Sequence, residues 1–226
     1  MKRILILLHE ALQPRRPHYL IDALAARWRE QGLLVSFVYG IRERPEADLL
    51  IPHVDLTRTP PEYVAYIRSF PVAVNRDVGD ISKRRISAHL LRGDEDYVGP
   101  VIVKTDCNSG GGHEYRLSVR RHPVLARAWR RAAPVAEFAL GRRLAWRCGL
   151  RDYPVYASLA HVPKGAFRNP ALVVERFLPE REGDRYFMRH YLCLGDHTRS
   201  VRVAGRTPCL KRADCVPAGE GLEVPG

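Results

Sequence analysis

Short apolar runs alternate with amphipathic segments over residues 1–76 of the chain. The apolar runs predict four strands, which are Lys2–Leu8, Leu33–Tyr39, a third made of Asp48–Ile51 and His53–Leu56, and Val72–Asn75. Apolar residues at helical spacing predict a helix over Tyr19–Gln31, and the proline pair at 60 and 61 predicts a second helix that ends at Ser69. This β-α-β-β-α-β order is typical of an open, mostly parallel sheet.

The pattern changes after residue 76, where helices no longer alternate regularly with strands. It predicts a helix over Asp80–Leu91, a strand over Val98–Thr105, a glycine-rich loop over Asn108–Gly112 and a long basic segment, helical in parts, over Arg120–Gly149. Three later strands, expected to form one antiparallel sheet, are Val155–His161, Leu172–Phe177 and Tyr186–Leu194. The last thirty residues are expected to be irregular. The chain is therefore predicted to be an α/β protein of two parts, 1–76 and 77–226.

Composition narrows the class of protein. With 46% hydrophobic and 27% charged residues the chain is globular, and no apolar stretch is long enough to span a membrane. The first apolar run stops at His9 and Glu10, so we expect a buried first strand rather than a secretory leader, and a cytoplasmic protein. The five cysteines show neither disulfide nor zinc-ligand spacing and are expected to be reduced thiols.

The net charge of +12 favours an anionic partner, either nucleic acid or a phosphorylated small molecule. Only five of the 37 basic residues are lysine, a skew that biased codon use also produces. The arginines follow amphipathic stretches without the interleaved aromatic residues on which bases stack. Nucleic acid is therefore the less favoured partner, and homodimer formation stays open.

The segment Gly99–Glu114 holds the clearest chemical signal in the chain. An apolar strand ends at Lys104, and a loop follows in which Gly110, Gly111 and Gly112 carry no Cβ. Glycines let backbone N–H groups turn towards an anion, and the side chains of Asn108 and Ser109 can add donors. No Gly-Lys-Ser/Thr follows, so the segment is not a Walker A loop. Because a lysine at a strand end is expected to be solvated, its removal is expected to cost little stability.

Lysine before a flexible glycine loop is the order found in ATP-grasp enzymes, and the chain resembles that family over residues 72–200. Three further segments are similar to family motifs: Asp80–Lys83 before the strand, the hinge-like Leu172–Leu178, and Gly183–Asp196 with an arginine at 189. The resemblance implies a Rossmann-like domain over 1–76 and an ATP-grasp nucleotide-binding domain of α+β subdomains over 77–226.

The resemblance also implies roles for single residues. Lys83, Lys104 and the glycine loop would bind the phosphates of ATP, and Arg189 would stabilise the transferred phosphoryl group. The adenine edge would meet the backbone of Glu175, Arg176 and Phe177, and the ribose would meet Glu182 or Asp184. The implied reaction activates a carboxylate of a small molecule or peptide as an acylphosphate, which an amine or thiol then attacks.

The magnesium-binding motif of the ATP-grasp family is missing from the chain. ATP-grasp ligases hold Mg²⁺ with an acidic residue and a later acidic-x-Asn pair, whereas no asparagine follows Asn169 in this chain. Three interpretations stay open: a truncated chain, other acidic ligands, or ATP binding without completed chemistry. The function classes are accordingly an ATP-dependent ligase, a non-catalytic or regulatory nucleotide-binding protein, and a basic nucleic-acid-binding protein. The substrate is not indicated by any residue.

Overall fold

A computed structural model of the chain describes residues 2–12, 19–114, 117, 124, 153–208, 210 and 216–217. The chain divides into two compact units. The first unit comprises residues 1–88 and 105–149, and the second comprises 89–104 and 150–226. Residues 77–88 and the glycine loop thus group with the N-terminal sheet, and the domain division at residue 76 stays a prediction. The basic segment Arg120–Gly149 lies outside the described residues except for Val124.

The first unit contains the parallel sheet that the sequence predicts. Its strands are β1 (Arg3–Leu8), β2 (Leu34–Tyr39) and β3 (Leu49–His53), in the order β2-β1-β3, and both pairings are parallel. The predicted fourth strand is reduced to a single parallel bridge between Leu50 and Ala73. The mixed α/β fold with a small parallel sheet is therefore confirmed.

Two helices cover the two faces of this sheet. Alternate residues of β1 point to opposite faces, so Ile4 and Ile6 pack with Ile21 and Ala25 of α1 (Leu20–Glu30). On the other face the core consists of Leu5, Leu7 and aromatic residues that belong to or follow α2 (Pro61–Arg68), namely Tyr63, Tyr66 and Phe70. Burial of each Leu or Ile side chain stabilises the fold by about 1.5–3 kcal/mol. Coverage on both sides explains why β1 is a continuous apolar run rather than an alternating one.

The helix predicted over Asp80–Leu91 is wrong for most of its length, because only α3 (Lys83–Ile86) is helical. Before it, the Ile81 N–H donates to the Thr57 carbonyl oxygen at 2.9 Å, and the Asp80 Oδ1 accepts from the Ser82 N–H at 2.8 Å. After it, Ser87 is extended, with ψ at 130°. Strand-like pairing with a distant segment therefore overrides the local helical pattern.

The second unit contains two sheets. The first has the order β5-β4-β6, with β4 (Val101–Thr105) between β5 (Val155–Tyr156) and β6 (Leu172–Arg176), and the β4–β5 pairing is antiparallel. Thr105, the last residue of β4, groups with the first unit. The short helix α4 (Lys164–Arg168) contacts β6. The core of this sheet is made of branched aliphatic residues: Val101, Ile102, Val103, Leu172, Val173 and Val174.

The other sheet of the second unit is antiparallel, in the order β10-β9-β8-β7. Its strands are β7 (Glu180–Glu182), β8 (Arg185–Leu194), β9 (His197–Gly205) and β10 (Val216–Pro217). Two predictions are wrong here. The strands at 155–161, 172–177 and 186–194 do not share one sheet, and residues 197–205 are a regular strand rather than irregular. The Gly195-Asp196 turn joins β8 to β9, with Gly195 at a φ of 58°.

Within the part of the chain that the structure describes, no helix is both long enough and apolar enough to cross a membrane.

Candidate functional site

The residues predicted to bind the nucleotide are divided between the two units. Lys83 and the glycine loop belong to the first unit. The second unit holds Lys104, Glu175, Arg176, Phe177, Glu182, Asp184 and Arg189.

The glycine loop begins as a 3-10 turn, Asn108–Gly111, in which three consecutive residues have left-handed backbone. The φ angles are 46° at Ser109, 70° at Gly110 and 78° at Gly111. Glycine adopts this conformation without strain, whereas a non-glycine residue such as Ser109 is destabilised by roughly 1–2 kcal/mol. The Ser109 N–H donates to Asn108 Oδ1 at 2.9 Å, so the asparagine side chain stabilises the turn itself.

The glycine loop is anchored to the segment that follows β3. The Asn108 N–H donates to Thr57 Oγ1 at 2.8 Å, and the Thr57 N–H donates to Glu114 Oε1 at 2.7 Å. His113 Nδ1 lies 2.7 Å from Asp55 Oδ2, and Asp55 itself has a φ of 58°. These three contacts fix the two ends of the loop to the carboxyl edge of the parallel sheet. Asp55 and Thr57 were not singled out from the sequence, because a turn residue and a buried threonine carry no distinctive pattern.

Lys83 contacts the same loop, since its Nζ donates to the Cys107 carbonyl oxygen. The Cys107 thiol is half-buried, and burial raises its pKa, with the negative charge of Glu114 adding to the effect. Cys107 is consequently held as a neutral thiol at neutral pH, which suits a packing role better than a nucleophilic one.

Asp106, between the strand and the loop, is only 3% exposed and was also missed from the sequence. Its Oδ1 accepts from the Arg84 N–H at 2.8 Å and its Oδ2 accepts from Arg58 Nη2 at 2.8 Å. Arg58 also donates through Nε to Asp80 Oδ2 at 3.2 Å. The Ser82 N–H, more than the arginine, holds the pKa of Asp80 below its usual range. This network ties the start of α3 to the residues that precede the glycine loop.

In the second unit, Lys104 and Glu175 form an ion pair with 2.6 Å between Nζ and Oε2. The Glu175 side chain is 7% exposed and the Lys104 side chain 28% exposed. The two residues lie on the neighbouring strands β4 and β6. A buried carboxylate needs a charged partner, and the pairing orders the lysine side chain, which is only partly buried.

The hinge-like segment is hydrogen-bonded on both sides. The Arg176 N–H donates to the His89 carbonyl oxygen at 2.9 Å, and the Phe177 N–H donates to the Pro100 carbonyl oxygen at 2.9 Å. The Arg176 guanidinium carbon lies 5.3 Å from the centroid of the Tyr97 ring. These contacts fix the backbone from Glu175 to Phe177 as a rigid edge, although they occupy two of its N–H donors.

Arg189 on β8 is held by Glu180 on β7. Arg189 Nε and Nη2 donate to the two carboxylate oxygens at 2.9 and 2.7 Å, the bidentate geometry that arginine also uses for phosphate. The hydrogen bond from Arg189 is the main reason that the pKa of Glu180 lies below its usual range. Arg202, directly opposite Arg189 on β9, donates to the same carboxylate at 2.9 Å.

Arg202 was missed from the sequence because 197–205 was expected to be irregular. A hairpin around the Gly195-Asp196 turn pairs residue 194 with residue 197, and recognising it would have placed Arg202 opposite Arg189. Its Nη2 also contacts Glu182, an implied ribose residue, and its guanidinium lies 3.6 Å from the centroid of the Phe187 ring. Asp184, the other implied ribose residue, lies exposed in the Gly183-Asp184 turn between β7 and β8.

Among the described residues, no group of three or more His, Cys, Asp or Glu side chains has a geometry that could hold a metal ion. The described residues therefore supply no ligand set of this kind for Mg²⁺.

Comparison with known proteins does not assign the chain to a family. No protein-family model matches the chain, and a search of curated proteins finds no match.

Proposed function

We propose that this chain is an ATP-binding protein of the ATP-grasp type and that β4 and β6 of its second unit hold the nucleotide. The observation that carries the proposal is the Lys104–Glu175 ion pair, in which a buried carboxylate fixes a lysine side chain that stays 28% exposed. A fixed cation of this kind binds a phosphate at low entropic cost, because the side chain is already ordered before the ligand arrives.

The adjoining segment supports the same assignment. Residues 175–177 form a rigid backbone edge beside the ion pair, as expected for a surface that meets a planar base. Arg189 and Arg202 converge on one carboxylate, which demonstrates that two guanidinium groups can share a single anion here. We assign Arg189 to the terminal phosphates and retain Glu182 and Asp184 as the ribose residues of the proposal.

The finer fold assignment belongs to the same proposal. The parallel order β2-β1-β3 is compatible with a Rossmann-like domain, and the two sheets of the second unit with ATP-grasp subdomains. In the first unit, the proposed role of Lys83 and residues 108–112 is phosphate binding.

As an enzyme, the protein would activate a carboxylate as an acylphosphate for attack by an amine or thiol. Lys104 would orient the phosphates, and Arg189 would neutralise charge on the transferred group in the transition state.

Thermal unfolding in the presence of nucleotides tests the proposal. A ligand that binds only the folded state stabilises it by about 2.7 kcal/mol at a hundredfold excess over its Kd. We expect millimolar ATP with Mg²⁺ to raise Tm, and ADP to raise it less. If neither nucleotide shifts Tm while the protein remains folded, the proposal fails.

A further inference from the structure

In the second unit, the carboxylate of Glu180 binds the guanidinium groups of Arg189 and Arg202, which are called the guanidinium pair below. Its Oε2 accepts from Arg189 Nε at 2.9 Å, and its Oε1 accepts from Nη2 of Arg189 and of Arg202, at 2.7 and 2.9 Å. β7 contributes Glu180 and also Glu182, which contacts Arg202 Nη2, while β8 and β9 contribute one arginine each. A phosphate oxygen makes the same hydrogen bonds to arginine, so the carboxylate stands where a ligand anion would bind.

The cluster retains unused capacity to bind an anion. Arg202 Nε is buried and has no hydrogen-bond partner in the described part of the chain. Buried donors in folded proteins are nearly always satisfied, so this N–H needs an acceptor from outside the chain, either water or a ligand oxygen. The Glu180 side chain is 34% exposed, so the carboxylate can move into water without disrupting a core.

We propose that Glu180 is a built-in competitor for the anion that Arg189 and Arg202 bind, and that a ligand phosphate must displace its carboxylate from the guanidinium pair. The inference rests on the proposed function, because the anion is taken to be a phosphate of the bound nucleotide. Glu180 thereby lowers the affinity for every ligand whose phosphate reaches the pair.

Calorimetric titration of Glu180→Gln with ATP and, separately, with inorganic tripolyphosphate tests the competition. Glutamine retains the size and one acceptor oxygen of glutamate but not its charge. We expect both ligands to bind Glu180→Gln two- to fivefold more tightly than they bind the natural protein. This is roughly the effect of removing an exposed ion pair. Glu95→Gln is the matched control, since Glu95 pairs with Arg92 in the same unit at 3.4 Å, and its Kd values are expected to be unchanged.

The opposite hypothesis is that Glu180 positions Arg189 for the ligand, and it predicts weaker binding to Glu180→Gln. Unchanged or weaker binding overturns the competitor role. ATP binding that is identical in the two proteins overturns this inference alone and leaves the nucleotide proposal standing. Tighter tripolyphosphate binding without any ATP binding supports the competitor and overturns the nucleotide proposal. If neither ligand binds either protein, both proposals fail. Should Glu180→Gln not fold, Glu180→Asp, which shortens the reach to the arginines, is expected to shift Kd in the same direction.

Discussion

At the scale of single residues, the main feature is a buried negative charge, on Glu175, that is stabilised by the positive charge of Lys104. Glu175 is 5% exposed, so its carboxylate is isolated from most solvent and depends on Lys104. The sequence alone suggests that removing a strand-end lysine costs little stability. The ion pair reverses that expectation, because the substitution leaves a buried charge without its partner.

Lys104→Met is therefore expected to lower the free energy of unfolding by about 1–3 kcal/mol, the cost of an unsatisfied buried polar group. Methionine retains much of the aliphatic stem, so packing changes little. The double variant Lys104→Met/Glu175→Gln is expected to recover part of the loss, since no charge is then left buried. Urea unfolding of the natural protein and the three variants of this double-mutant cycle measures the effect. Additive losses would show that the two side chains do not interact.

Some residues of the candidate site can be identified from sequence patterns, and others cannot. Lys104, Lys83 and Arg189 were identifiable because a charge interrupts an apolar run or repeats a family motif. Asp106, Glu180 and Arg202 were not, because they acquire their roles from partners between 9 and 48 positions away in the chain. Single-sequence patterns carry no information on such long-range pairs.

At the scale of elements, strands and helices with a strong period were predicted well and those fixed by tertiary pairing were not. α1 and β1 agree with their predicted ranges to within two residues at each end. The helix expected over 80–91 is replaced by pairing of 79–81 with 57–59. β9 was missed because the glycines and prolines of the last thirty residues were given more weight than the alternation of Val201 and Val203.

Asp80 determines where α3 can begin, because its carboxylate accepts from the Ser82 N–H and from Arg58. These bonds favour the ionised form and hold its pKa below the ordinary value of 3.8. A carboxylate with a lowered pKa in the folded state stabilises the protein above its unfolded pKa, and that contribution is lost as the pH falls through the folded value.

We therefore expect Asp80→Asn to be less stable than the natural protein at pH 7, with the difference shrinking once the pH falls below about 3.8. Chemical unfolding across this pH range measures it. Asp94→Asn, which removes an exposed carboxylate, serves as the control and is expected to leave stability at pH 7 nearly unchanged. A pH-independent difference for Asp80→Asn would show that its charge is not involved.

At the scale of the whole molecule, the net charge of +12 is the property that most needs an independent test. If the charge served nucleic acid, affinity for duplex DNA would be high and would fall steeply with salt. We expect weak, non-specific binding that disappears near 150 mM salt, where screening acts over about 8 Å. An electrophoretic retardation series from low to physiological salt measures this. Nanomolar affinity at physiological salt would make nucleic acid the main ligand.

Calorimetric titration of ATP into the natural protein, Lys104→Met and Lys164→Met measures whether Lys104 of the second unit binds ATP. Lys164 is an exposed lysine at the start of α4 in the same unit, so its substitution removes the same charge away from the ion pair. We expect ATP to bind the natural protein and Lys164→Met with equal Kd. Binding to Lys104→Met is expected to be at least about tenfold weaker, because one charge-assisted phosphate contact is lost. Equal Kd for all three proteins, or no binding to the folded natural protein, would contradict this expectation.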